Sequence, residues 1–253
     1  MAPPPGGTHV IIVGGVSVND PGEHDRYPYN FINPAVARAK DYKSDVVMLV
    51  FAPPYETRAM HQANEHSQVT LTYRDACYFG AWDAKDCPAL FKTKEVNLRH
   101  FLDVAQGAAK ANGFTVIELR TAADLTTELS KLKPIATIDY FGHSNAKSLF
   151  LQYSTGVSPG KAEVSWGVAD AAKVPASNFL GGSRVTSFGC NNGDAGGLME
   201  QLRDKWDITA VGSEGRTDYE PIGRGEKRPS SAGGFYVYPK GAKAPRAKLT
   251  TPP

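Results

Sequence analysis

The chain has 253 residues, of which 41% are hydrophobic and 21% are charged, and its formal net charge is +2. This composition is typical of a soluble globular protein, and the length suits one large α/β domain or two smaller ones. The small net charge gives no reason to expect nucleic acid as a partner, and no stretch reaches the roughly 20 apolar residues that span a bilayer.

Proline is concentrated at both ends of the sequence. Residues 1–7 lack the basic and apolar regions of a secretory signal and are predicted to form a tether. Residues 239–253 are predicted to be a disordered tail. The remaining domain, residues 8–238, then resembles a module of a larger protein or secretion system. The compartment stays open between the cytoplasm and export by a signal-independent route.

Strands and helices are predicted to alternate along the chain, because apolar, β-branched runs are separated by amphipathic segments. The predicted strands cover residues 9–16, 45–52, 114–119, 135–141, 149–153, 184–188, 208–212 and 235–238, and the predicted helices cover residues 34–43, 97–112, 121–133 and 195–205. This alternation predicts a single α/β domain with a mostly parallel sheet and helices on both faces. Residues 54–95 are less regular and are interpreted as an insertion or a long loop.

The chain has three cysteines, too few for a disulfide framework. Cys77 and Cys87 lie ten residues apart in the irregular segment, and they either pair in an oxidising compartment or remain thiols. Cys190 is left over as a candidate for a free, reactive thiol.

Two predicted strands each end in a glycine followed by a chemically reactive residue. Residues 135–141 lead into Gly-His143, and residues 184–188 lead into Gly-Cys190. The crevice beyond the carboxyl ends of parallel strands is the usual binding site of an α/β sheet. One cysteine and one histidine are the minimum for a thiolate nucleophile with an imidazole partner. The sequence therefore predicts Cys190 as nucleophile and His143 as base, without a metal or other cofactor.

The residues around this pair are assigned supporting roles. The backbone N–H groups of residues 191–194 lie between a strand and the next helix, where they are predicted to form an oxyanion hole. Gly142 and Gly189 are interpreted as residues of tight turns that lift the reactive side chains into the crevice.

Three alternatives are compatible with parts of the pattern. Cys190 is also consistent with a small buried apolar residue, and His143 with an ordinary loop histidine. The segment around Ser144 matches the G-x-S-x-[GA] nucleophile elbow of a serine esterase, but that family needs a histidine after the serine, and His143 is the last in the chain. His61 and His66 approach a metal motif, yet their spacing of five separates them on a helix.

Residues 135–213 resemble the caspase, gingipain and legumain group (clan CD) of cysteine peptidases, including its bacterial CHAT-type members. In that group an apolar strand ends in a histidine, and a later apolar strand ends in a small residue and the nucleophilic cysteine. The resemblance implies a caspase-like sheet, His143 as catalytic base and Cys190 as nucleophile. It also implies an oxyanion hole built from backbone groups near them, for which the candidates are Ser144, Gly189 and Asn191.

The sequence departs from the group at two positions. The group usually has glycine directly after the histidine, where this chain has Ser144, and alanine directly before the cysteine, where this chain has Gly189. These departures leave open a catalytically inactive relative that binds a peptide or partner protein in the same crevice.

The segment after residues 208–212 corresponds in the resembled group to the wall of the substrate pocket. Its candidates for contacting a substrate side chain are Glu214, Arg216 and Asp218. The acidic residues would favour a basic side chain and Arg216 an acidic one. The expected activity is that of a cysteine endopeptidase acting on a protein or peptide, as a bacterial effector or toxin or as an autoprocessing module.

Overall fold

The computed structural model describes most of the chain in several ranges. These are residues 4, 6–16, 31–42, 45–56, 100–153, 163–219, 228–241 and 245–250. The predictions for Cys77, Cys87, His61 and His66, and for most of the insertion over residues 54–95, lie outside the described residues.

An eight-stranded, mostly parallel sheet forms the centre of the protein, as the alternating sequence pattern predicts. Its strands are β1 (Thr8–Val13), β3 (Val46–Phe51), β4 (Thr115–Leu119), β5 (Ile135–Phe141), β9 (Phe179–Ser187), β10 (Thr209–Glu214), β13 (Gly234–Tyr238) and β14 (Ala247–Lys248). Their spatial order is β14-β13-β10-β9-β5-β1-β3-β4. The two strands at the β14 end run antiparallel to their neighbours, and the other six are parallel.

Helices cover both faces of this sheet. They are α1 (Ile32–Asp41), α2 (His100–Asn112), α3 (Ala122–Lys131), the short α4 (Val168–Ala171) and α5 (Leu198–Trp206). Buried residues of α1 and α2 pack on one face of the sheet, and those of α3, α4 and α5 pack on the other. Among the described residues, no helix is both long and apolar enough to cross a membrane.

The beginning of α3 shows how the sequence sets a boundary. Thr121 has extended backbone, and its hydroxyl accepts the N–H of Asp124 at 3.1 Å. The Asp124 carboxylate accepts the N–H of Thr121 at 2.8 Å in return. This reciprocal capping box satisfies N–H groups that the first helical turn leaves without partners. Thr121 is thus the N-cap that the sequence indicates.

A smaller sheet lies beside the carboxyl ends of the central strands. It contains β2 (Gly15–Val16), β6 (His143–Ser144), β7 (Ser148–Tyr153) and β8 (Val164–Gly167), and a separate two-stranded sheet contains β11 (Thr217–Asp218) and β12 (Ser230–Ser231). The strands β6 and β7 pair antiparallel directly after β5, so the chain turns back over the edge of the large sheet as soon as β5 ends.

The order of the central strands has its switch point at β1. In chain order, β3 and then β4 are added on one side of β1, and the next strand of this sheet, β5, lies on the other side of β1. Loops diverge at such a point, which leaves a crevice beyond the carboxyl ends of the two strands. The segment after β5, with His143, borders this crevice.

Several boundaries differ from the sequence-based expectation, and three of the differences are informative. β9 begins at Phe179 rather than residue 184, because Gly181 and Gly182 weaken the apolar signal without ending the strand. α5 begins at Leu198 rather than residue 195, since two glycines precede it. The predicted disordered tail is wrong for residues 245–250, where β14 pairs with β13.

A buried ion pair joins α1 to the middle of β5. Arg38 donates from Nε to the carboxylate of Asp139 at 2.6 Å, and the two side chains are 6% and 0% exposed. The Tyr42 hydroxyl donates to the same carboxylate. Burial raises the pKa of Tyr42 to about 12, and the Asp139 charge adds to the rise, so this hydroxyl stays protonated at neutral pH.

Removing one partner of this pair is expected to destabilise the whole domain. Arg38→Ala should lower the free energy of unfolding by about 3–5 kcal/mol, because Asp139 would remain buried without its counter-ion. Urea denaturation followed by circular dichroism measures the change. Lys131→Ala removes an exposed partner of Glu128 and should change stability by less than about 0.5 kcal/mol. Equal effects of the two variants would show that the buried pair is not important for stability.

Candidate active site

The segments that carry His143 and Cys190 meet at the edge of the sheet. β5 and β9 are adjacent and parallel, with Tyr140 opposite Ser187. His143 and Cys190 each lie three positions after these paired residues, so the chain delivers them to the same end of the sheet. The Ser144 hydroxyl donates to the Cys190 carbonyl oxygen at 2.6 Å, which joins the two segments directly.

Glycine precedes each reactive residue because the backbone is closely packed there. A Cβ atom on Gly142 would lie 2.3 Å from the Tyr140 hydroxyl oxygen. A Cβ atom on Gly189 would lie 2.2 Å from Oγ of Ser144. Neither glycine has a positive φ, and in this segment the left-handed residue is Asn191, with φ of 60°. The chain bends at both glycines, and close approach of neighbouring atoms is the reason that a side chain does not fit at either position.

The two departures from the resembled group compensate for each other sterically. Ser144 occupies the space beside Gly189 that an alanine methyl group would need, since a Cβ on Gly189 would also lie 2.8 Å from Cβ of Ser144. With glycine at position 144 both of these contacts would be absent, and the Gly142 carbonyl oxygen at 3.0 Å would be the remaining close neighbour of an alanine methyl group at position 189. The residues at positions 144 and 189 are therefore sterically coupled in this chain.

The sulfur of Cys190 accepts a backbone hydrogen bond that the sequence did not predict. The N–H of Thr217 lies 3.3 Å from Sγ. The Thr217 hydroxyl lies 3.1 Å from the Gly189 carbonyl oxygen and 3.0 Å from the Ser213 hydroxyl. No sequence motif identifies Thr217, because its contribution is a main-chain group placed by the fold.

A buried amide side chain supports the segment after Cys190. Asn192 is fully buried, and its Nδ2 donates to the hydroxyl of Ser144 at 2.9 Å and to that of Ser187. One side chain therefore holds the end of β9 and the His143 segment together. Its Oδ1 is buried without a hydrogen-bond partner, so the two bonds that Nδ2 donates are what couple Asn192 to the segments on both sides of Cys190.

Two of the three predicted oxyanion donors are used inside the protein. The N–H of Asn191 donates to the Gly215 carbonyl oxygen at 2.9 Å, and that of Gly189 lies 3.3 Å from the Ser187 hydroxyl. Each of these two N–H groups would have to leave its internal partner to serve as a donor to a substrate. The N–H of Ser144 faces away from β7, because Asn145 donates to Ser148 at 3.0 Å and hydrogen-bonded positions alternate along an antiparallel pair.

Aromatic side chains surround the His143 imidazole. The ring of Tyr153 is 4.6 Å away, and the ring of Phe31 approaches at 5.2 Å in an edge geometry. The Tyr140 hydroxyl lies 2.6 Å from the His143 carbonyl oxygen. Burial raises the pKa of Tyr140 well above its usual value, so this hydroxyl remains a donor that fixes the His143 backbone.

The pocket candidates differ in their surroundings. Glu214 is paired with Arg246 at 2.8 Å, and hydrogen bonds from Arg246 and Tyr236 lower its pKa. Arg216 and Asp218 are exposed and flank Thr217, which contacts the sulfur. Arg216 and Asp218 therefore lie within one residue of a group that touches Cys190, whereas the charge of Glu214 is neutralised within the protein.

The serine-esterase alternative fits the geometry poorly. Ser144 is 7% exposed and lies in a two-residue strand of a hairpin, whereas a nucleophile elbow joins a strand to a helix. Its hydroxyl is already hydrogen-bonded to Cys190. Within the described ranges, no group of three or more His, Cys, Asp and Glu side chains is arranged to hold a metal ion.

Comparison with known proteins assigns no family to this chain. No protein-family model matches the sequence, and a search of the curated proteins finds no match. The interpretation of the site therefore depends on the positions and contacts of its own residues.

The packing of Ser144 against Gly189 generates a prediction that a double-mutant cycle can measure. Gly189→Ala in the parent should lower the free energy of unfolding by about 1–3 kcal/mol, because the new methyl group overlaps Ser144. The same substitution in a Ser144→Gly background should cost at least about 1 kcal/mol less. Urea denaturation of the parent, both single variants and the double variant gives the coupling free energy.

Ser144→Ala provides the matched control for this cycle. It removes the hydroxyl but keeps the Cβ atom, which would lie 2.8 Å from the new methyl group at position 189. Gly189→Ala should therefore remain costly in the Ser144→Ala background. If Gly189→Ala costs the same in all three backgrounds, steric exchange between the two positions is not the reason for the departures.

Proposed function

We propose that this protein is a cysteine endopeptidase in which Cys190 is the nucleophile and His143 is the general base and acid. The observation that supports it most strongly is the contact between Ser144 and Cys190 at 2.6 Å. This contact joins the segments of both reactive residues at the carboxyl edge of the sheet, beside the switch point, where α/β proteins bind their ligands. The hydrogen bond from Thr217 to Sγ adds support, because the nucleophile must react as a thiolate.

The reaction would proceed through an acyl-enzyme. His143 takes the thiol proton, and the sulfur of Cys190 attacks the carbonyl carbon of the peptide bond to form an S–C bond. The N–H of Ser144 is the proposed donor to the oxygen that becomes negatively charged. His143 then protonates the leaving amine as the C–N bond breaks. Water next attacks the thioester while His143 accepts its proton, and the carboxylic acid leaves as the thiol of Cys190 is restored.

The second candidate is an inactive relative that binds a peptide in the same crevice. One observation favours it: the neighbours of Cys190 are occupied by internal hydrogen bonds, including the N–H groups of Gly189 and Asn191. The candidates differ in the reactivity of the thiol. A peptidase needs an activated thiolate, whereas a binding crevice does not.

The rate of iodoacetamide labelling at Cys190, measured against pH by mass spectrometry, separates the two candidates. Labelling should stay fast below the value of about 8.5 at which an ordinary thiol titrates, and His143→Ala should slow it because the imidazolium that stabilises the thiolate is lost. A library of fluorogenic peptides then tests for amide hydrolysis that disappears in Cys190→Ala.

His9→Ala is the control for the loss of an imidazole, because His9 lies near the opposite end of β1 from the crevice. It should leave the pH profile of Cys190 unchanged. A Cys190 that labels no faster than an ordinary thiol, or at a rate independent of His143, would reject the peptidase and leave peptide binding as the function of the crevice.

A further inference from the structure

The segment from residue 245 to residue 249, here called the C-terminal strap, forms the outer edge of the large sheet. It contains β14, which pairs with β13 so that Tyr236 faces Lys248. The N–H of Leu249 donates to the Phe235 carbonyl oxygen at 2.8 Å. These main-chain contacts fix the position of Arg246 at the beginning of the strap.

Arg246 makes three different contacts from this position. Its Nη1 donates to the Gly193 carbonyl oxygen at 2.7 Å, and its Nη2 donates to the Glu214 carboxylate at 2.8 Å. Its guanidinium carbon also lies 4.2 Å from the centre of the Tyr236 ring. A planar guanidinium can satisfy two acceptors and stack on a ring at the same time, which a lysine cannot do.

The acceptor at Gly193 belongs to the turn that follows Cys190. Gly193 packs so closely that a Cβ atom there would lie 2.3 Å from the Gly212 carbonyl oxygen. Its N–H donates to the Ser213 carbonyl oxygen at 2.8 Å. The Tyr238 hydroxyl lies 2.9 Å from the Gly193 carbonyl oxygen. The turn is thus held against β10 on one side and by Tyr238 and Arg246 on the other.

Arg246 also determines which charge is available at the predicted substrate pocket. Glu214 ends β10 and was expected to face a substrate side chain, but Arg246 neutralises it. The single side chain of Arg246 therefore links Glu214, a predicted pocket residue, to the turn that follows Cys190. An ordinary exposed ion pair contributes little to stability, whereas a guanidinium that also holds a main-chain oxygen restricts the motion of that main chain.

We propose that Arg246 of the C-terminal strap is a positioning residue, which holds the turn at Gly193 and thereby the backbone that presents Cys190. The catalytic role of Arg246 rests on the proposed function. Its bracing of the turn, which is the hydrogen bond to the Gly193 carbonyl oxygen, does not. It assigns the strap to the active-site machinery, although the strap lies more than fifty residues after Cys190 in the sequence.

Hydrogen exchange, measured by mass spectrometry on the peptide that covers residues 189–197, tests the bracing without any substrate. Arg246→Ala should speed exchange in this peptide by about tenfold, because the turn opens more often. Arg246→Lys keeps the charge but loses the planar fork that reaches both acceptors while stacking on Tyr236, and it should give an intermediate rate. Lys240→Ala, which removes an exposed partner of Asp207, is the matched control and should leave this peptide unchanged.

The iodoacetamide rate at Cys190 and its pH profile are then measured on the same variants. Slower labelling near neutral pH in Arg246→Ala, with partial recovery in Arg246→Lys, would support positioning of the thiolate. Exchange that is unchanged at residues 189–197 in Arg246→Ala would overturn the proposal. So would an increase spread equally over this peptide and α2 in both Arg246 variants, since it would assign Arg246 to global stability.

Failure of the proposed function gives a different result. If labelling of Cys190 in the parent is independent of His143, the peptidase is rejected, whereas the exchange pattern of the Arg246 variants is unaffected. Bracing of the turn and catalysis by Cys190 are therefore decided by separate readouts.

Discussion

The parallel register between β5 and β9 is the constraint on which the rest of the site depends. Because Tyr140 lies opposite Ser187, the segments after both strands begin at the same level along the strand direction. A shift of one residue would turn every following side chain to the other face of the sheet. The site is thus a consequence of sheet pairing, and the local loops only complete it.

Close backbone approach is the second requirement, and it explains why small residues are concentrated where these strands end. Gly142 lies on the Tyr140 hydroxyl, and Gly189 lies on Ser144. A larger residue at Gly189 would push against the segment of Ser144, and one at Gly142 would displace the Tyr140 side chain. The polar side chains of Ser144, Asn192 and Thr217 then tie the segments together with hydrogen bonds. The same few residues therefore determine both the steric fit and the hydrogen bonds between the two segments.

The sequence is sufficient to predict the architecture because apolar periodicity reports which residues are buried. The strand at Ile135–Phe141 and the cap at Thr121 both follow from local patterns. The direction in which a main-chain N–H group points does not follow from such local patterns. The N–H groups of Asn191 and Gly189 were predicted to face a substrate, yet they donate to protein oxygens. The contribution of Thr217 is equally invisible, because a main-chain donor leaves no trace in residue type.

The strand β14 has a further consequence for how molecules of this protein behave toward one another. It covers the outer side of β13, which would otherwise present a row of main-chain donors and acceptors at the end of the large sheet. Such an open edge is a template for pairing with another chain. The covering strand is only two residues long and ends in Lys248, whose charge disfavours the stacking of a further strand. β14 therefore reduces the number of main-chain groups that this end of the sheet offers to a second chain.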